Sequence, residues 1–85
     1  MFKTNPSEYV DSILNKIEQN KPSCRYAIFQ FYSLSNIQVE RLAQALRTNT
    51  YLEYLNLQDC YLTDSDLRIL LPVIKSNVTL KKNCD

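Results

Sequence analysis

The sequence predicts an α/β fold, a short solenoid in which helices at about 6–19, 36–48 and 64–76 alternate with short parallel strands at about 25–30 and 53–58. Three observations predict it. The chain matches itself at an offset of 28 residues: Cys24, Ala27, Phe29, Leu34, Val39, Leu42, Leu46, Asn49 and Leu52 fall on Leu52, Leu55, Leu57, Leu62, Leu67, Leu70, Ile74, Asn77 and Leu80. A self-similarity of this period marks stacked supersecondary units. Within each unit the apolar spacing changes from two, as in a strand, to three and four, as in a helix. Polar capping residues then bracket each helical stretch.

The first helix is predicted at Pro6, with Asn5 as its cap, Pro at the first helical position and Glu8 at the third. Val10, Ile13 and Ile17 set its apolar stripe, a weaker copy of Val39, Leu42 and Leu46. The strand at 25–30 follows, and Leu52-Glu53-Tyr54-Leu55-Asn56-Leu57 ends in the apolar–polar alternation of its counterpart at 53–58. Ser35-Asn36-Ile37-Gln38 has capping-box spacing, and Thr63-Asp64-Ser65-Asp66 is a close variant. Asn20, Asn49 and Asn77 stand at the three helix ends, where Asn is the best left-handed stop after Gly. Pro72 cannot donate to the carbonyl four residues back, which predicts a kink in the last helix. A helix between two similarly facing strands is a right-handed crossover, so the strands are expected to be parallel.

Leu52-x-x-Leu55-x-Leu57-x-x-Cys60-x-Leu62 resembles the leucine-rich repeat consensus at every fixed position. The period, and the following Leu67, Leu70, Ile74, Asn77 and Leu80, resemble the ribonuclease-inhibitor-like subclass. That subclass also occurs in NOD-like receptors, tropomodulin-type domains and bacterial effectors. The resemblance implies a single domain over 1–85: a capping helix (1–23), two repeats (24–51 and 52–79) and the truncated start of a third (80–85). It implies a protein-binding role, and Cys60 as a buried residue of the inner hydrogen-bond ladder. Departures stand at Gln38 and Asp66, where the family carries Gly, and at Tyr32, which occupies the slot of Cys60. These predict a differently shaped helix entry and a wider first corner. Lys81-Lys82-Asn83-Cys84-Asp85 replaces the leucines of a third strand.

Composition narrows the chemistry. The 85 residues carry no Gly and no His, with ten basic against nine acidic side chains. Gly-rich phosphate loops are excluded, and so are the Ser–His and Cys–His nucleophile pairs. Cys24, Cys60 and Cys84 show no C-x-x-C spacing. No enzyme, cofactor or metal is expected, and neither a nucleic-acid nor a membrane partner. Without a signal peptide or a spanning apolar run, a cytoplasmic location is expected; a bacterial effector would reach the host cytosol without a standard signal. The richness in Asn, Ile, Lys and Tyr fits an AT-rich genome. Asn77-Val78-Thr79 is formally a glycosylation sequon, which means little without secretion.

Residues between the fixed leucines are expected on the concave strand face. They are Arg25, Tyr26, Ile28, Gln30 and Phe31 on the first strand, and Glu53, Tyr54, Asn56, Gln58 and Asp59 on the second. Tyr26 and Tyr54, at equivalent positions, should stand as a cross-strand pair. Tyr offers large contact area at low entropic cost, which points to binding of a protein partner. Tyr9, Tyr51 and Tyr61 are read as half-buried packing. Asp64 and Asp66 are read as helix caps, and Lys81 and Lys82 as a basic pair near the last helix end. Two repeats cannot cover their own end, and each Leu-class side chain left uncovered forfeits about 1.5–3 kcal/mol. The chain is therefore expected either to associate with itself through the repeat ends, as a structural alternative to partner binding, or to belong to a longer repeat protein.

Overall fold

Among the described residues, three helices and three short strands alternate: α1 (Pro6–Glu18), β1 (Tyr26–Ile28), α2 (Asn36–Thr48), β2 (Tyr54–Asn56), α3 (Asp64–Ser76) and β3 (Lys82–Asn83). The structure is a computed structural model that describes residues 6–77, 80 and 82–83. The Asn5 cap, Lys81, Cys84 and the last two residues of the sequon lie outside the described residues. The sheet has the order β1-β2-β3, with both pairings parallel and Tyr26 opposite Tyr54, itself opposite Lys82. Helices pack in chain order, α1 on α2 and α2 on α3. No helix among the described residues is long and apolar enough to cross a membrane.

The expected repeat solenoid is corrected. Two strands of three residues and one of two form a ladder too short for a repeating wall, and all three helices pack into one contiguous core. The result is a small α/β unit measuring 40 × 31 × 19 Å. The strands are shorter than expected, although Phe29 N and Phe31 N still donate to the Asn56 and Gln58 carbonyls beyond them, at 2.9 and 3.1 Å. Phe31, Asp59 and Tyr61 take left-handed conformations, at φ 72°, 57° and 56°. Such a backbone costs an L-residue roughly 1–2 kcal/mol, and with no Gly in the chain the side-chain-bearing residues accept it. A third strand nevertheless forms at Lys82–Asn83, so Lys82 extends the sheet instead of sitting at a helix end. The cation in the last turn of α3 is Lys75.

Each helix presents an apolar stripe to this core. Val10, Leu14 and Ile17 are buried on α1, so Leu14 replaces the expected Ile13, which is only half-buried. Val39, Leu42 and Leu46 of α2 are fully or almost fully buried, as are Leu70 and Val73 of α3. Ala27 and Leu55 of the strands, with Phe29, Leu52 and Leu57 beside them, come up to meet these residues. α3 runs through Pro72, whose ring is at the exposed surface.

Both predicted capping boxes form. Ser35 Oγ accepts from the Gln38 amide at 3.2 Å while Gln38 Oε1 accepts from the Ser35 amide at 2.9 Å. Thr63 and Asp66 repeat the exchange at 3.1 and 3.0 Å. Gln38 and Asp66 are almost completely buried, so the positions expected to carry Gly are instead closed by side chains.

At the other helix ends the left-handed expectation is corrected. Only Asn20 is left-handed, at φ 52°; Asn49 and Asn77 are extended, at φ −71° and −73°. These two work through their side chains. Asn49 Nδ2 donates to the Ile17 carbonyl at 3.0 Å, and Asn49 Oδ1 accepts from the amides of Tyr51 and Leu52 at 2.9 and 2.7 Å. Asn77 donates to the Leu46 carbonyl at 2.8 Å and accepts from Leu80 N at 3.0 Å. Each Asn thus ties the end of one helix to the end of the previous one and turns the chain toward the next strand.

The slot shared by Tyr32 and Cys60 is filled in two ways. Cys60 Sγ donates to the Phe29 carbonyl at 3.0 Å, and burial pushes its thiol up from the ordinary range. Tyr32 instead stacks on Tyr9 of α1, with ring centroids 4.3 Å apart, while Tyr9 Oη donates to the Ile28 carbonyl at 3.0 Å. The first corner is therefore occupied by a ring from the preceding helix.

Arg41 joins α2 to α1, a contact with no signature in the local sequence. Its guanidinium meets both Glu18 oxygens at 2.8 and 3.0 Å, Asp11 Oδ1 at 3.0 Å and Asn15 Oδ1 at 2.9 Å. Asp11, Asn15 and Glu18 lie on one face of α1 by their spacing of four and three. Hydrogen bonding from Arg41 holds the Glu18 carboxyl below its ordinary value of 4.5. A carboxylate with a depressed folded pKa stabilises above its unfolded pKa and loses that contribution as pH falls through the folded value. Arg41→Met should therefore lower the unfolding free energy by about 1 kcal/mol at neutral pH. The difference from the parent chain should close in acid below pH 4.5, as read from urea midpoints across a pH series.

Candidate protein-binding face

Alternation along β1 and β2 divides the sheet into a buried and an outward side. Ala27 and Leu55 point into the core, whereas Tyr26 is 67% exposed and Ile28 38%. Parallel register puts Tyr26 beside Tyr54, with ring centroids 6.3 Å apart and planes tilted by 60°. Tyr54 is half-buried, and Asn56, opposite Ile28, is buried.

Polar pairs flank this apolar centre at both ends. Arg25 meets Glu53 at 3.3 Å before the strands begin. Beyond them Gln30 donates to Gln58 at 3.2 Å, Asn56 donates to Gln30 at 3.4 Å, and the Gln58 amide donates to Asn56 Oδ1 at 2.9 Å. Arg25, Tyr26, Ile28, Gln30, Glu53, Tyr54, Asn56 and Gln58 are therefore brought together, although Asn56 serves more as the inner support of the amide chain than as a contact residue. Phe31 and Asp59 are not on the strand face. Both sit past the strand ends in left-handed turns, and Phe31 is 71% exposed there.

Beside Tyr26 a pocket of about 220 Å³ is lined by Ile13, Lys16, Lys21, Ser23, Cys24 and Arg25 as well as Tyr26 itself. Its cations come from α1, from the loop after it and from the residue just before β1, and sequence spacing alone did not reveal their convergence. Cys24 in its lining is buried, and burial raises its thiol pKa, which leaves it a poor nucleophile at neutral pH.

Three other readings change. Tyr61 is exposed, at 80%, and Tyr51 is exposed as well, so neither is the half-buried packing expected; only Tyr9 is. Asp66 caps α3, while Asp64 lies in its first turn as an exposed dipole partner. Among the described residues, no cluster of three or more His, Cys, Asp or Glu side chains could hold a metal ion. No protein-family model and no curated protein sequence matches the chain.

Proposed function

We propose that this chain is a non-enzymatic, intracellular protein-binding module whose contact surface is the outward face of β1 and β2. The observation that carries this reading is Tyr26 beside Ile28. A large aromatic ring and a branched aliphatic side chain stand exposed on rigid strand backbone, framed by polar side chains already paired with one another. Such pairing lowers the entropy lost on binding, and exposed Tyr at the centre of a polar frame is the usual make-up of an energetic hot spot. The cationic pocket beside Tyr26 suits a partner that presents an acidic side chain next to an apolar patch. A chain without His has little means of general-base or nucleophilic catalysis, which favours binding over chemistry. Cys24 and Cys60, both buried and free, suit a reducing compartment.

The test is capture of partners by immobilised parent chain, identified by mass spectrometry and then measured as a purified pair. Tyr26→Ala combined with Ile28→Ala should weaken that pair by about 30-fold or more, with Tyr54→Ala adding to the loss. Thermal midpoints should hold in the double variant, because both side chains are exposed. Undiminished binding by the variant, or no specific capture by the parent chain, would count against the reading.

A further inference from the structure

α3 leaves uncovered an apolar stripe whose counterpart on α2 is sealed. Leu67, Leu71 and Ile74 recur at spacings of four and three on one side of α3; Leu71 is 46% exposed and the other two are half-buried. The equivalent residues of α2, 28 positions earlier, are Val39, Ala43 and Leu46, which are 0%, 3% and 1% exposed. The side of the stripe follows from Arg41. Arg41 reaches α1 from α2, so its equivalent on α3, Ile69, faces back toward α2, and indeed Ile69 lines the groove with Arg41, Gln44 and Arg47. Leu71 accordingly faces away from α2, with half-buried Leu67 beside it and Ile74 reaching back onto the core, on the side where the sheet order places edge strand β3.

We infer that this stripe is a homodimer interface, in which α3 packs antiparallel against α3 of a second copy about a two-fold axis. Two features select the second copy. Asp64 in the first turn and Lys75 in the last flank the stripe on the same side, nearly symmetric about its middle. An antiparallel pairing brings Asp64 of each copy to Lys75 of the other and opposes the two helix dipoles. The alternative of head-to-tail stacking on α1 fits poorly, because Ser12, Lys16 and Gln19 make the outer side of α1 polar. A two-fold contact also closes, whereas head-to-tail stacking would grow without end.

Sedimentation equilibrium of the full chain over a concentration series, with reductant present, tests this. A reversible monomer–dimer equilibrium is expected, and Leu71→Glu should raise its dissociation constant by about tenfold or more, with unchanged circular dichroism. Asp64→Lys and Lys75→Asp should each weaken the dimer, and the two together should restore it. Loss of a purely intrahelical dipole effect would instead make the double variant the worst of the three. A chain that stays monomeric, forms open-ended assemblies, or dimerises equally well as Leu71→Glu overturns the inference. So does a double variant that fails to regain the dimer.

Discussion

Phe29→Ala should lower the unfolding free energy by about 3–5 kcal/mol, the largest effect of any single truncation in this chain. Phe29 is the largest of the fully buried side chains and sits just past β1, where the core receives side chains from strand and helix together. Its backbone is held as firmly as its ring: Phe29 N donates to the Asn56 carbonyl at 2.9 Å, and its own carbonyl accepts from Tyr32 N and Cys60 Sγ. Neighbours so tied cannot collapse into the space left by the ring, so the cavity term adds to the lost transfer energy. An 85-residue domain has a total stability of roughly 4–13 kcal/mol, so the variant should lose a large share of it and its urea midpoint should fall accordingly. Urea unfolding followed by far-ultraviolet circular dichroism reads this directly. Phe29→Leu, which restores the residue type found at the equivalent Leu57, should cost only about 1 kcal/mol.

The sequence displayed this fold unevenly, and the reasons are physical. Helix starts were readable because a capping box is a local contract between residues three apart, as at Ser35 and Gln38. The Tyr26–Tyr54 pair was readable for a related reason, since a 28-residue period maps directly onto parallel register. The turns after the strands were not: left-handed Phe31 and Asp59 carry none of the Gly that normally announces such a turn. A period also defines a unit without saying how units assemble. Strands of two or three residues and a single shared core yielded a small α/β unit where a solenoid was expected. Long-range polar contacts had no local trace at all. Arg41 finds Asp11, Asn15 and Glu18 on a helix 23–30 positions earlier, and Asn56 has the strand position of a contact residue although it is buried and its amide donates to Gln30.

Asn49→Ala tests the part of the architecture where the sequence pointed to the right residue for the wrong reason. If Asn49 only stopped a helix in a left-handed conformation, Ala would cost little, because Asn49 is in fact extended at φ −71°. Its side chain instead satisfies three backbone groups, the Ile17 carbonyl and the amides of Tyr51 and Leu52, at a site only 4% exposed. Removing it strands buried polar groups at about 1–3 kcal/mol each where water cannot reach them. The expected loss is about 2–4 kcal/mol, measured by urea unfolding. Asn49→Asp separates donor from acceptor. The carboxylate keeps the bonds from Tyr51 and Leu52 but faces the Ile17 carbonyl with no proton, whereas the protonated acid can donate to it. Burial raises the pKa of such a carboxyl in the folded state. Stability of Asn49→Asp should thus be nearest the parent below the unfolded pKa of about 3.9, and lost as pH rises through the raised folded value. Asn49→Ala should show no such additional dependence, so a pH series on the two variants isolates the one hydrogen bond that Asn49 donates to the Ile17 carbonyl near the end of α1.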